Sequence, residues 1–283
     1  MSRTISLHSY KGGTGKTTIA CNLASLLSRK GYRVALLDMD IYTPSVGSYF
    51  GYTPKYWINN LLTDNNKMGD VLVDMTGVLG KNHSNEGRLW IGYANPRKEA
   101  IYKLDGLGLG KDSRTNSVRK FIRMKEELIA DYDCDYILFD TSPGIRYWSI
   151  NCLTVTDTVI LTLKFGDFDL SGTRRMIDEL YSSLMRHGTA SYLLLNLVAG
   201  YCVPSIHGHE DPQKDGNYSI STSQNEDPIR LLSRQVAMDL ITSIPCYCDL
   251  QFARKEFLTV LQNPNHPFAR QIQDIASSQA IAV

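Results

Sequence analysis

The chain has 283 residues, enough for one large domain or two small ones with a substantial buried core. Its 30 Lys+Arg against 29 Asp+Glu leave a formal net charge of +1, which excludes a global field that selects nucleic acid or an anionic membrane. Six cysteines, at positions 21, 134, 152, 202, 246 and 248, are too sparse and irregular for the disulfide framework of a secreted domain, and no apolar run reaches the ~20 residues of a membrane span, so a soluble, cytoplasmic protein is expected.

Leucine-rich and β-branched runs alternate with amphipathic stretches along the whole chain. This pattern predicts an α/β fold, a doubly wound and mostly parallel sheet with helices on both faces, read here as a single domain over 1–283. The first strand, Thr4 to Ser9, runs into Lys11-Gly12-Gly13-Thr14-Gly15-Lys16-Thr17-Thr18 and then an apolar helix, Thr17 to Arg29. Strand, glycine loop and helix in that order make a phosphate cradle, because the glycines let several backbone N–H groups turn toward one anion at a helix N-terminus. Lys16 supplies a point charge to the β- and γ-phosphates, and the Thr17 hydroxyl is placed to ligate Mg²⁺. The general P-loop pattern asks for a further glycine where this chain has Tyr10.

The second strand, Arg33 to Asp38, ends in a pair of carboxylates, Asp38 and Asp40, which share a face if the strand persists and lie at the edge of the sheet that holds the phosphate loop. Their alternative role is to cap the following turn. Residues 76–86, together with the Gly-rich segment 104–112, break the rhythm around a strand at Leu89 to Ala94 and are expected to be a surface insertion near 76–112. After a helix over Ser117 to Asp131, the strand Tyr136 to Asp140 closes in Asp140-Thr-Ser-Pro-Gly144, a Walker B arrangement whose aspartate holds Mg²⁺, usually through water. A strand at Thr158 to Leu163 and a helix at Ser171 to Arg186 lead to the strand Tyr192 to Val198. This strand carries Asn196 and no Asn-Lys-x-Asp, so the amide suits the donor and acceptor edge of adenine better than guanine, with a strand-end cap as its alternative role. A polar second insertion, 204–227, precedes a helix at Asp227 to Asp239, a strand at Leu240 to Ile244 and a last helix at Phe268 to Ser278.

Lys-Gly-Gly-x-Gly-Lys-Thr-Thr resembles the deviant P-loop of the MinD/ParA family of ATPases, and the chain from residue 4 onward can be laid on that family's pattern. The resemblance implies an ATP- and Mg²⁺-dependent switch that dimerises through its nucleotide face, hydrolyses ATP slowly and acts in positioning or partitioning through an activating or cargo protein. It assigns Lys11 to the phosphates of the opposite protomer, Asp40 to the attacking water, Asp38 to the neighbouring switch, and Thr17 and Asp140 to the metal. A second lysine five residues from Lys16 cannot easily share its cradle, which agrees with Lys11 reaching elsewhere. The same resemblance places Asn196 at the base and packs it against a loop after the last strand, here Pro245 and Tyr247.

Other features point elsewhere. Cys246 and Cys248 offer half of a zinc or iron–sulfur site, so a homodimer would have to complete it, and this keeps a cluster-carrier ATPase as the alternative reading. His207 and His209 with Asp211 have ligand-type spacing in a polar loop. Basic clusters at Arg29-Lys30, Arg119-Lys120 and Arg174-Arg175 could touch DNA, but nearby acids offset them. The segment Phe268 to Val283 carries only Arg270 as a cation and lacks the basic amphipathic character of a membrane-targeting tail. Sixteen tyrosines keep a bacterial-type tyrosine kinase open, though none cluster at the C-terminus.

Overall fold

The apolar runs of the sequence become the inner strands of one twisted sheet. The computed structural model describes residues 2–63, 66–80, 84, 86–107, 111–164, 175–177, 181, 184, 185, 188–198, 233, 234 and 238–282. Within them lie the strands β1 (Arg3–His8), β2 (Arg33–Met39), β3 (Leu72–Asp74), β4 (Arg88–Gly92), β5 (Tyr136–Thr141), β6 (Thr158–Leu163), β7 (Ala190–Val198) and β8 (Asp239–Pro245). They are ordered β3-β4-β2-β5-β1-β6-β7-β8, and every pairing is parallel except that of β3 with β4. Strand β1 is flanked by β5 and β6, with Ile5 opposite both Leu138 and Thr158. The chain winds away from β1 in both directions, so the carboxyl end of β1 is the switch point of the sheet, where a ligand crevice forms.

The helices are α1 (Lys16–Arg29), α2 (Val46–Phe50), α3 (Ile58–Thr63), α4 (Met68–Val71), α5 (Lys98–Leu107), α6 (Lys111–Ala130), α7 (Tyr147–Thr154), α8 (Cys248–Gln251), α9 (Thr259–Gln262) and α10 (Pro267–Ala276). Side chains on a strand alternate between faces, and the core divides accordingly. Val34, Leu36 and Leu138 pack in one cluster with Leu23 and Leu27 of α1 and with Ile272 of α10. Their neighbours Ala35, Leu37 and Ile137 pack in a second, with Phe121 and Leu128 of α6 and Trp148 of α7. Helices therefore cover both faces, as the apolar pattern predicts.

Several expected boundaries shift for identifiable reasons. Helix α10 starts at Pro267 because His266 caps it, its Nδ1 accepting from the Phe268 amide at 3.0 Å, with proline in the first helical turn. Residues 104–107 are the end of α5 rather than loop, anchored by the fully buried Leu104, and α6 begins at Lys111, earlier than expected. Residues 76–79 form a 3₁₀ turn. Asp239 opens β8 instead of ending a helix, and Ser233 and Arg234 are the helical residues described before it. Most of the helix expected at Ser171 to Arg186, and all of 204–227 with His207, His209 and Asp211, lie outside the described residues. Among the described residues no helix is long and apolar enough to cross a membrane.

Candidate functional site

At the end of β1 the backbone turns on Gly13 (φ 72°) and Gly15 (φ 84°), both in the left-handed region that a side chain disfavours. Gly15 then serves as the N-cap of α1, and the Ile19 amide donates to its carbonyl at 3.0 Å. Thr14 points inward: its hydroxyl pairs with that of Thr162 at 2.9 Å, and its carbonyl accepts from Asn196 Nδ2 at 2.8 Å. Strands β6 and β7 thus hold the loop from behind. The Lys16 side chain folds back and its Nζ donates to Ser9 Oγ at 2.8 Å, while that hydroxyl donates to the Lys11 carbonyl at 2.6 Å. Burial lowers the pKa of Lys16, and the carboxylates of Asp140 and Asp40 oppose that shift.

Three buried carboxylates, of which Asp140 and Asp40 act on this ammonium, lie at the same sheet edge, and each is held differently. Asp38 and Asp140 sit opposite each other in the register of β2 and β5. The oxygens of Asp38 accept from the backbone amides of Asp40 at 3.2 Å and Val46 at 3.3 Å, so it ties down the chain that leaves β2. Burial, with Asp140 and Asp40 nearby, pushes its pKa well above the usual carboxylate range. Asp40 Oδ1 accepts from Ser142 Oγ at 2.8 Å and the Thr43 amide at 3.2 Å, and Oδ2 accepts from Thr43 Oγ1 at 3.0 Å. Its carboxylate is therefore fixed in orientation and still has acceptor capacity. Asp140 is the exception, because both of its oxygens are buried without a hydrogen-bond partner. Burial raises its pKa to about 7, opposed by the Thr17 hydroxyl and the Lys16 ammonium and supported by Asp40.

An orphaned buried carboxylate beside a threonine hydroxyl fits a hard divalent cation, which takes oxygen ligands directly or through water. Thr17 Oγ1 also accepts from Ser45 Oγ at 3.1 Å, which joins the loop to the segment after β2. Buried His8 lies behind the loop with its pKa pushed down to about 3, by burial first and then by Lys16, and is neutral. The Thr141 hydroxyl donates to the Leu7 carbonyl at 2.8 Å, so it accepts from His8 Nδ1 at 2.6 Å.

Two clefts meet over the loop. One, of about 260 Å³, is lined by Gly12, Lys16, Thr17, Asp40, Thr43 and Ser45 among others. The second, of about 300 Å³, is lined by Asn196, Leu197, Ile244, Pro245 and Tyr247 among others. Gly13, Gly15 and Thr18 border both. All the expected site residues but four line these clefts, and one of the four, Asp38, instead ties down the chain that leaves β2. Thr14 acts as an internal brace, Asp140 lies behind Lys16 and Thr17, and Lys11 is exposed and borders neither cleft.

A ParA-group family model, described as NUBPL iron-transfer P-loop NTPase, matches residues 1–78. A putative septum site-determining protein MinD from Nephroselmis olivacea is 30% identical over 160 residues, 56% of this chain and 51% of that protein. The structure of septum site-determining protein MinD from Pyrococcus horikoshii, solved with Mg-ADP, superposes with a TM-score of 0.68 at 20% identity, covering 98% of this chain and 95% of that one. These likenesses show the fold of a P-loop NTPase and agree with the MinD/ParA resemblance carried by the glycine loop. An iron-sulfur cluster carrier protein from Aquifex aeolicus is 57% identical over 47 residues, 17% of this chain and 13% of that protein. The chain spans less than two thirds of the length of the first curated relatives it matches.

Sequence reasoning misses Ser9, Thr43, Ser45, Ser142 and Thr162, whose hydroxyls hold Lys16, Asp40, Thr17 and Thr14 in place. Ser142 lies inside the Asp140-Thr-Ser-Pro motif and could have been found there. The other four are small polar residues at strand ends and turns, with no spacing that sets them apart. Cys248 is disulfide-bonded and Cys246 is not, so the two do not act as a pair of thiolates. Among the described residues, no group of three or more metal-ligating side chains comes together.

Proposed function

We propose that this chain binds Mg·ATP across the two clefts, pairs face to face with a second copy, and hydrolyses ATP slowly as a switch that acts on a partner protein in spatial positioning or partitioning. The observation that carries the reading is the meeting of Lys16, Asp40 and the unpartnered Asp140 at one sheet edge, beside a loop whose glycines turn its amides inward. Asn196, Pro245 and Tyr247 line a cleft that suits an adenine, with the triphosphate running into the neighbouring one.

Mg²⁺ held by Thr17 and Asp140 would neutralise charge that develops between the β- and γ-phosphates. Lys16 moves from Ser9 Oγ to the phosphates, a short transfer because that bond lies at the foot of the loop. Asp40, braced by Ser142 and Thr43, orients water for in-line attack. Lys11 of the partner subunit adds a cation to the transition state, so the complete site forms only in the dimer and turnover depends on protein concentration. Exposed apolar side chains at the rim favour such pairing. Tyr10 precedes the loop and Ile145 follows Gly144, and the Gly144 amide donates to the Ser9 carbonyl at 2.8 Å, which sets both on one rim.

The cluster-carrier reading has less support. The iron-transfer family model covers residues 1–78 and stops far short of Cys246 and Cys248. Velocity sedimentation of wild type and Lys11→Ala, with Mg·ATP, with Mg·ADP and without nucleotide, tests the switch. The expected result is a dimer formed only by wild type with Mg·ATP. An oligomeric state that ignores nucleotide would refute the proposal.

A further inference from the structure

The base cleft and the phosphate cleft share four lining residues: Gly13, Gly15, Thr18 and Glu256. Whatever joins a base in one cleft to phosphates in the other must pass these four. Two are glycines without side chains. The Thr18 hydroxyl is already paired with the Tyr49 hydroxyl at 2.7 Å. Glu256, in the exposed segment between α8 and α9, accepts from the Tyr49 hydroxyl and, with the further lone pairs of a carboxylate, keeps acceptor capacity at the junction. A carboxylate is a poor neighbour for a polyphosphate, since like charges repel. It is a good neighbour for a vicinal diol, whose two O–H groups can donate to its two oxygens, and charge-assisted bonds of this kind are about twice as strong as neutral ones.

We propose that Glu256 is the sugar-reading residue of the site, accepting hydrogen bonds from the 2′- and 3′-hydroxyls of a ribonucleotide and so selecting ribose over deoxyribose. The inference rests on the nucleotide reading above and deepens it. A base in the cleft of Asn196 and Tyr247 and phosphates beside Lys16 leave the sugar over Gly13, Gly15 and Thr18, which is where the carboxylate stands. The Thr18–Tyr49 pair forms the floor of that junction, and the Tyr49 hydroxyl also donates to the Glu256 carboxylate, which holds that carboxylate over the junction and, with burial, disfavours the phenolate. No family motif used to recognise the loop or the carboxylates reaches this position, and its segment carries no pattern that marks it in the sequence.

The test is calorimetric titration of the full chain with Mg·ADP and with Mg·2′,3′-dideoxy-ADP, for wild type, Glu256→Ala and Glu256→Gln. Diphosphates avoid turnover. Wild type should prefer the ribose form by on the order of tenfold, as expected for hydrogen bonds to a charged acceptor. Glu256→Ala should lose that preference by weakening the ribose form alone, and Glu256→Gln, which keeps one acceptor, should fall between. Equal affinities for the two ligands in wild type, or an alanine variant in which both ligands weaken or tighten together, would overturn the assignment while leaving the nucleotide site intact. Wild type that binds neither ligand would instead overturn the nucleotide reading itself.

Discussion

Asp140→Asn should make the nucleotide-free protein more stable near neutral pH and abolish its stabilisation by Mg·ATP. In the folded chain the carboxyl titrates at about 7 against an ordinary 3.8, chiefly because it is buried. A shift of roughly three units corresponds to about 4 kcal/mol, at ~1.36 kcal/mol per unit. The folded pKa is raised, so between 3.8 and about 7 the unfolded chain gives up its proton first, and stability falls as pH rises through that window. Below pH ~4 the penalty is absent, and above pH ~7 it is fully present. The asparagine carries no charge but leaves an amide with no partner, at about 1–3 kcal/mol, so the net gain at pH 7.5 is about 1–3 kcal/mol. For a chain of this size that is roughly 2–4 °C of thermal midpoint per kcal/mol. Urea and thermal unfolding at pH 5 and pH 7.5 measure it. Wild type should gain about 2.7 kcal/mol from Mg·ATP at a hundredfold excess over its dissociation constant, and the variant should gain none. An Asp140→Asn protein less stable than wild type at pH 7.5 without nucleotide would show that the carboxylate is satisfied in the apo fold, and the metal argument would lose its basis.

Other substitutions separate loop geometry from core packing. In Gly15→Ala, a residue at φ 84° acquires a Cβ that would lie 2.1 Å from Asn196 Nδ2, so nucleotide binding should be lost and stability fall by about 1–3 kcal/mol, read by titration and urea unfolding. Gly92→Ala tests the opposite. Its Cβ would meet Ile58 Cδ1 at 2.7 Å and Leu37 Cδ2 at 2.8 Å, which should cost about 1–3 kcal/mol of stability with nucleotide affinity unchanged. Asn196→Ala removes both the proposed base contact and the brace to the Thr14 carbonyl. ATP affinity should fall by roughly tenfold, one to two hydrogen bonds' worth, and competition by inorganic tripolyphosphate should weaken by a smaller factor because the loop loses one brace.

Long-period signals were legible in the sequence and short, local ones were not. The seven strands expected from apolar runs all occur, because a strand buried on both faces needs such a run wherever it sits in the order. Strand β3 is missed because Leu72-Val73-Asp74 is too short to show any alternation, and its pairing with β4 is set by tertiary contact rather than by its own residues. Helices α2, α3 and α4 are missed for the same reason, since four to six residues span little more than one turn. At the site, Lys16, Thr17 and Asp140 are visible because chemistry fixes their type and the motif fixes their spacing. Ser9 and Thr162 are invisible because any small hydroxyl at the right place suffices, and only the fold shows where that place is. Glu256 is a third case, a residue whose importance arises only where two clefts meet.

The central position of β1 also bears on how the molecule comes into being. The strand that leads into the phosphate loop is made well before its two neighbours, since β5 and β6 lie more than a hundred residues downstream of it. Closing so large a loop must precede any gain from the pairing, which makes this contact slow to form and dependent on most of the chain. The glycine motif leans on strands that follow it by far in the chain. The brace from Asn196 to Thr14 arrives later still. The ordered cradle therefore depends on strands made long after the glycine motif itself.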